Sequence, residues 1–277
     1  MSEAVQLFIL QIILIAVVLL LHTYIGLHII RRTLIFSDLV LDQLAALGAL
    51  VGVAVGVAYA SGGSYFFAFG AVLIGSFLLA VINPRNKAIP REAVIGILYA
   101  MALVSCLILT DKLPGGQALV EVTLSGYMLW VQWPLVAVTA GVYGLLILFH
   151  YLLRHRFITL AERPEEVDRE VLWDFLFFTT QGIITVLIVP IAGVLLAYAF
   201  LMIPAAIAAL FTKRWGPAVL LGWTVGFIAC VTGLGISYHW GFPYGPTLVL
   251  SLGAAFLFAI AIRFLRPSSA RQMKERR

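Results

Sequence analysis

Charge is what this sequence has least of. Asp, Glu, Lys and Arg together make up 11% of its 277 residues, against 62% for hydrophobic residues. That ratio excludes an ordinary water-soluble domain. Cysteine is almost missing as well. Cys106 and Cys230 both fall inside apolar runs, which leaves neither a disulfide framework nor the spacing of a Cys-based metal site. The chain has no phosphate-binding Gly-rich loop ending in Gly-Lys-Ser/Thr, so it cannot hydrolyse ATP by that route. His-Glu-x-x-His and Gly-x-Ser-x-Gly are also absent. The N-terminus lacks the basic region and small-residue cleavage site of a signal peptide, and its first apolar run is expected to remain as a span.

What is there is a succession of apolar runs, each near the roughly 20 residues that cross a bilayer. They predict an all-α, polytopic transmembrane helical bundle of about nine spans. The first five lie near 5–30, 37–60, 65–83, 92–110 and 127–152. The sixth and seventh share the run 172–211, turning near Pro190 to Gly193, and the last two are near 216–237 and 247–265. Residues 1–265 read as a single transmembrane domain and 266–277 as a basic cytoplasmic tail. Placing Arg31-Arg32 in the cytoplasm puts seventeen of the eighteen basic residues on that side and leaves only Lys112 outside. The positive-inside rule therefore predicts a multi-pass membrane protein with its N-terminus outside and its C-terminus in the cytoplasm. Tyr127, Trp130 and Trp133 at one end, and Trp173 and Trp215 at the other, suit interfacial belts.

The stretch Ile35 to Gly56 organises the rest. Asp38 and Asp42 are one helical turn apart and share a face, which continues through Ala45, Ala49, Gly52 and Gly56. Charges within a bilayer are costly and face a partner, a cavity or an ion path. A smooth stripe lets a second helix come close or leaves room for passage. Asp38 also suits a helix start at the membrane surface. Asp42, ten residues beyond Arg32, would lie roughly 15 Å deeper on a continuous helix.

Other polar positions admit plainer roles. His22 and His28 are six apart and so on different faces, and His150 and His155 sit near the inner surface. His239, in an outer loop, could meet an incoming ligand. Asp174 opens span six, and Thr179, Thr180 and Gln181 could hydrogen-bond neighbouring helices. Pro204 would break a backbone hydrogen bond inside a span, freeing a carbonyl for a cavity or making a packing kink. Arg154–Val171 is the one strongly charged internal segment, able to form a short helix with Pro164 in its first turn. By charge alone it is a solvated connector.

Three groups of residues resemble one known family. Gly193-Val-Leu-Leu-Ala-Tyr-Ala-Phe-Leu-Met-Ile-Pro-Ala-Ala-Ile-Ala208 is similar to the signature of bacterial ABC-importer permeases for zinc, manganese and iron. Ser237-Tyr238 followed by Pro243-x-Gly245-Pro246 matches that family's next hallmark. Gly26-Leu-His-Ile-Ile-Arg31 with Ile35-Phe-Ser-Asp38 resembles its first-span exit and second-span entry. The resemblance implies the membrane subunit of an ATP-driven importer of divalent transition-metal ions, and not an enzyme. Its implied partners are a separate ABC ATPase that uses the ATP, an extracytoplasmic metal-binding protein, and a second permease in a homodimer, with no nucleic acid. No cofactor is expected to be tightly bound; the metal is cargo. The resemblance implies that Asp38 lies on the metal path. Asp42 stands where the family commonly has histidine, so it carries over by position and not by residue type. It further implies that the segment before span six docks on the ATPase, pointing to Arg163, Glu165, Glu166 and Asp168. A metal chelate as cargo is the nearer alternative. An intramembrane enzyme using the two aspartates as an acid–base pair is the remote one, since one helix carries both.

Overall fold

A computed structural model describes residues 3–82, 89–126 and 131–265. Among them every long element is a helix: α1 (Glu3–Arg31), α2 (Phe36–Ala54), α3 (Gly62–Val81), α4 (Arg91–Lys112), α5 (Gly116–Ser125), α6 (Trp133–Leu152), α7 (Arg154–Glu162), α8 (Glu170–Phe211), α9 (Trp215–Trp240) and α10 (Tyr244–Leu265). Eight of these are long and apolar enough to cross a membrane; α5 and α7 are not. The chain is a polytopic all-α membrane bundle. The expected basic tail 266–277, Arg85 and Lys87, and the aromatic pair Tyr127 and Trp130 lie outside the described residues.

Helices prevail because the hydrocarbon core offers no partner for a free backbone N–H or C=O, and a helix satisfies both within itself. The longest, α8, spans 42 residues, about 63 Å if straight and twice the thickness of a bilayer core. It is not straight. Gly193 has φ 75° and ψ 162°, which only glycine adopts freely, and its Cα lies against the backbone of Leu124 and Gly126. Near one end Asp174 pairs with Arg32, while just past the other the carbonyl of Lys213 accepts a 2.6 Å hydrogen bond from Arg31. Arg31, the last residue of α1, and Arg32 just after it thus hold both ends of α8, so the chain must reverse at Gly193. Segments 170–192 and 194–211 are its two arms, as the turn near Pro190 to Gly193 predicted.

Several expected boundaries move. The second span ends at Ala54, not near residue 60, and Gly56 follows it with φ 89°. The segment 111–126, expected as a loop, holds α5, whose end packs under the Gly193 turn. The charged segment 154–171 is α7 followed by a single 3-10 turn at Pro164–Glu166, so the helix precedes the proline instead of starting at it.

Helix α2 sits at the centre, packed on α3, α4 and α8, and α8 touches α1, α3, α9 and α10 in turn. The core is aliphatic and aromatic: Leu14, Ile15, Leu19, Phe177, Phe178 and Phe200 are fully enclosed.

Candidate functional site

Between α1 and α2 the chain turns sharply at Thr33, which has φ 53°, so the two helices are not continuous. Asp42 is therefore only about 9 Å along α2 from its first residue, shallower than a continuous helix would put it. Asp38 does not cap the helix. It is 2% exposed and its Oδ1 accepts a 2.9 Å hydrogen bond from Nε2 of Gln181 on the first arm of α8.

One turn further along both helices, Asp42 faces Thr185. By distance and angle neither carboxylate oxygen of Asp42 has a hydrogen-bond partner, although the residue is 1% exposed. Asp38 and Asp42 on α2, and Gln181 and Thr185 on α8, thus form two rungs with the same four-residue step. Ala45, Ala49 and Gly52 continue the α2 face and are buried. Tyr143 of α6 is fully buried, feels both aspartates electrostatically and has a hydroxyl without a partner. His22 of α1 stacks on its ring at 5.8 Å. Among the described residues, no three or more His, Cys, Asp or Glu side chains gather to hold a metal.

Two turns earlier on α8, Asp174 is 1% exposed and forms ion pairs with Arg32 and, at 2.8 Å, with Arg91. Both guanidinium groups lie over aromatic rings, Arg32 at 5.3 Å from Phe177 and Arg91 at 5.8 Å from Phe178. Burial lowers the pKa of Arg32 and Asp174 works against that shift. The end of α1 and the starts of α4 and α8 meet in this cluster. Asp174 read as a helix start in the sequence; it is the shared counter-ion of two cations.

The segment 154–169 is tied to the same end of the bundle. Phe157, Leu160 and Ala161 bury one face of α7, with Phe157 against the rings of His150, Trp173 and Phe177. Glu162 at its end receives Arg31 at 3.0 Å and the indole N–H of Trp215 at 2.8 Å. Arg163, Glu165, Glu166 and Asp168 point outward and are exposed, with Arg163 on Glu166 at 2.8 Å.

Two predicted positions differ in detail. His239 is in the last turn of α9 and not in a loop, exposed, with its ring 4.7 Å from that of Trp240. Pro204 does not break its helix; the interruption is at Gly193. Its ring and carbonyl fill a notch in α9, where a Cβ on Gly222 would be 2.6 Å from the Pro204 oxygen and one on Gly226 2.8 Å from its Cγ. Small residues four apart allow this close approach. His28 and His150 are buried, His28 against Trp215 and His150 on the Thr180 hydroxyl at 2.9 Å. Sequence reasoning gave Gln181 only a general helix-bridging role, and it missed Thr185 and Tyr143. The four-residue step from 181 to 185 repeats that from 38 to 42 and was a usable signal; Tyr143 had none.

The site lies inside a multi-pass helical membrane bundle and centres on a buried acidic pair. Residues 3–263 match the ABC 3 transport family, and the chain belongs to it. Among curated relatives it is 26% identical to an uncharacterized membrane protein of Synechocystis sp. over 238 residues, covering 80% of this chain and 84% of that one. It is 27% identical over 215 residues to the manganese transport system membrane protein MntC of Halalkalibacterium halodurans (75% and 72% covered). To the chelated iron transport system membrane protein YfeD of Yersinia pestis it is 24% identical over 212 residues (74% and 70%). The fold is that of a chain of PsaBC from Streptococcus pneumoniae, solved in complex with Fab. The TM-score is 0.77, with 20% identity, over 100% of this chain and 96% of that one.

Proposed function

We propose that this chain is the membrane-spanning permease subunit of an ATP-driven importer for a divalent transition-metal ion, with Asp38 and Asp42 as the point where the ion is held in transit. The observation that carries the reading is Asp42, whose two carboxylate oxygens are buried without a partner one turn from a second buried carboxylate. Two such charges side by side are unfavourable in a low dielectric, and a divalent cation between them offsets that cost. The relatives named for manganese and chelated iron transport support this class of cargo.

The working assembly contains two permease copies, a separate ABC ATPase in the cytoplasm and an extracytoplasmic metal-binding protein. The exposed Arg163, Glu165, Glu166 and Asp168 serve as the ATPase contact, and the chain enters the first arm of α8 directly after them. That arm carries Asp174, Gln181 and Thr185 in succession, so displacement of the docking segment shifts the rungs facing Asp38 and Asp42. The N-terminus is outside and the C-terminus inside, with the two arms of α8 crossing separately to give nine spans.

Uptake of radiolabelled manganese, iron and zinc, in competition, by vesicles holding the complete complex tests the assignment. ATP-dependent accumulation of at least one free divalent ion is expected. Accumulation only when the ion is supplied as a chelate would replace bare-ion transport with the chelate reading.

A further inference from the structure

Gln181 is fully buried, and its side chain has two ends with different fates. The amide nitrogen donates to Asp38, and only the NH2 end can do so because a carboxylate accepts. The amide oxygen has no partner. Asp42 Oδ1 and Oδ2 and the Tyr143 hydroxyl are in the same condition. An unpartnered buried oxygen is destabilising, so four around one pair of rungs require a compensating role. All are oxygens and two belong to a carboxylate. Their common complement is a cation that prefers oxygen.

We propose that Gln181 is the third arm of the cation site: its amide oxygen turns onto the ion held by Asp38 and Asp42 and makes the site oxygen-only. This rests on the reading of the aspartate pair as the ion path. The terminal torsion of glutamine is broad, so the amide can exchange its hydrogen bond to Asp38 for an oxygen–metal contact without moving α8. Carboxylate and carboxamide oxygens suit manganese(II), while zinc favours imidazole and thiolate. Gln181 therefore sets specificity and also orients Asp38. Because it belongs to α8 while the aspartates belong to α2, the ion bridges the two helices that must part for its release.

The test measures initial uptake of radiolabelled manganese(II) and zinc(II) by vesicles holding the complete complex, for wild type, Gln181→Leu, Gln181→His and Asp42→Asn. Gln181→Leu should lower manganese uptake by roughly tenfold to a hundredfold. Gln181→His, which supplies an imidazole, should raise the zinc-to-manganese ratio by on the order of tenfold. A residue that only positions Asp38 would change both rates together and leave that ratio alone. Ratios within about twofold of wild type in Gln181→His, with Asp42→Asn inactive, overturn the role of Gln181 and spare the ion path. Full activity of Asp42→Asn overturns the path itself. If Gln181→Leu fails to assemble, Gln181→Met is measured in its place, and its retention of wild-type manganese uptake would count against the proposal.

Discussion

Arg32 and Asp174 are 142 residues apart in the chain and form an ion pair from which water is nearly excluded, their side chains 6% and 1% exposed. Arg91 completes the cluster at 2.8 Å. Removing one member of a buried charge pair leaves the other uncompensated and costs about 3–5 kcal/mol, whereas exposed pairs contribute about 0–1 kcal/mol. Asp174→Asn should therefore markedly lower the unfolding temperature of the purified protein in detergent. Arg163→Gln, which breaks the exposed pair with Glu166, should leave it nearly unchanged. Equal stability of the two variants would show that the buried cluster does not hold the bundle together.

The reversal at Gly193 carries two constraints, a positive φ and backbone of α5 on its Cα. Gly193→Ala meets both and should sharply reduce the yield of folded protein. Gly141→Ala, a helical glycine with open space around it, is the control and should express like wild type.

Topology is checked by labelling single cysteines at Gly115 and Ser268 from one side of the membrane. With buried Cys106 and Cys230 as background, the two positions should react from opposite sides. Labelling of both from the same side would contradict the seventeen-to-one partition of basic residues.

Glu165 and Glu166 are exposed beyond α7, whose other face is anchored in the bundle through Phe157 and Glu162. Reversing both to lysine should leave the permease folded but uncouple ATP hydrolysis from transport in the complete complex. Normal coupling in the double variant would place the ATPase contact elsewhere.

The helical bundle was legible because apolar run length is a direct response to bilayer thickness. Even the hairpin at Gly193 could be read, since 172–211 is too long for one crossing. The start of α6 and the helix α5 were not, because the segment after Lys112 packs under the Gly193 turn through contacts that sequence periodicity does not encode. Asp38 and Asp42 stood out as charges in apolar surroundings. Gln181, Thr185 and Tyr143 did not, because a neutral polar side chain in a membrane helix is ordinary until its neighbour is known. Pro204 shows the reverse failure. Its chemistry predicts a broken helix, but the Gly222 and Gly226 notch accommodates it within a continuous one.

If Asp42 holds the ion, and is not a packing residue, Asp42→Asn and Asp42→His must behave differently. Asparagine keeps the shape and removes the charge that a buried divalent ion requires. Histidine offers a metal-binding nitrogen at the same position. Initial rates of radiolabelled manganese and zinc uptake by vesicles holding the complete complex are the measurement. Under the ion-ligand role of Asp42, Asp42→Asn should lose uptake of both ions by a factor on the order of a hundred, while Asp42→His should retain transport with its preference moved towards zinc. Wild-type uptake by Asp42→Asn would contradict it and place the ion path elsewhere in the bundle.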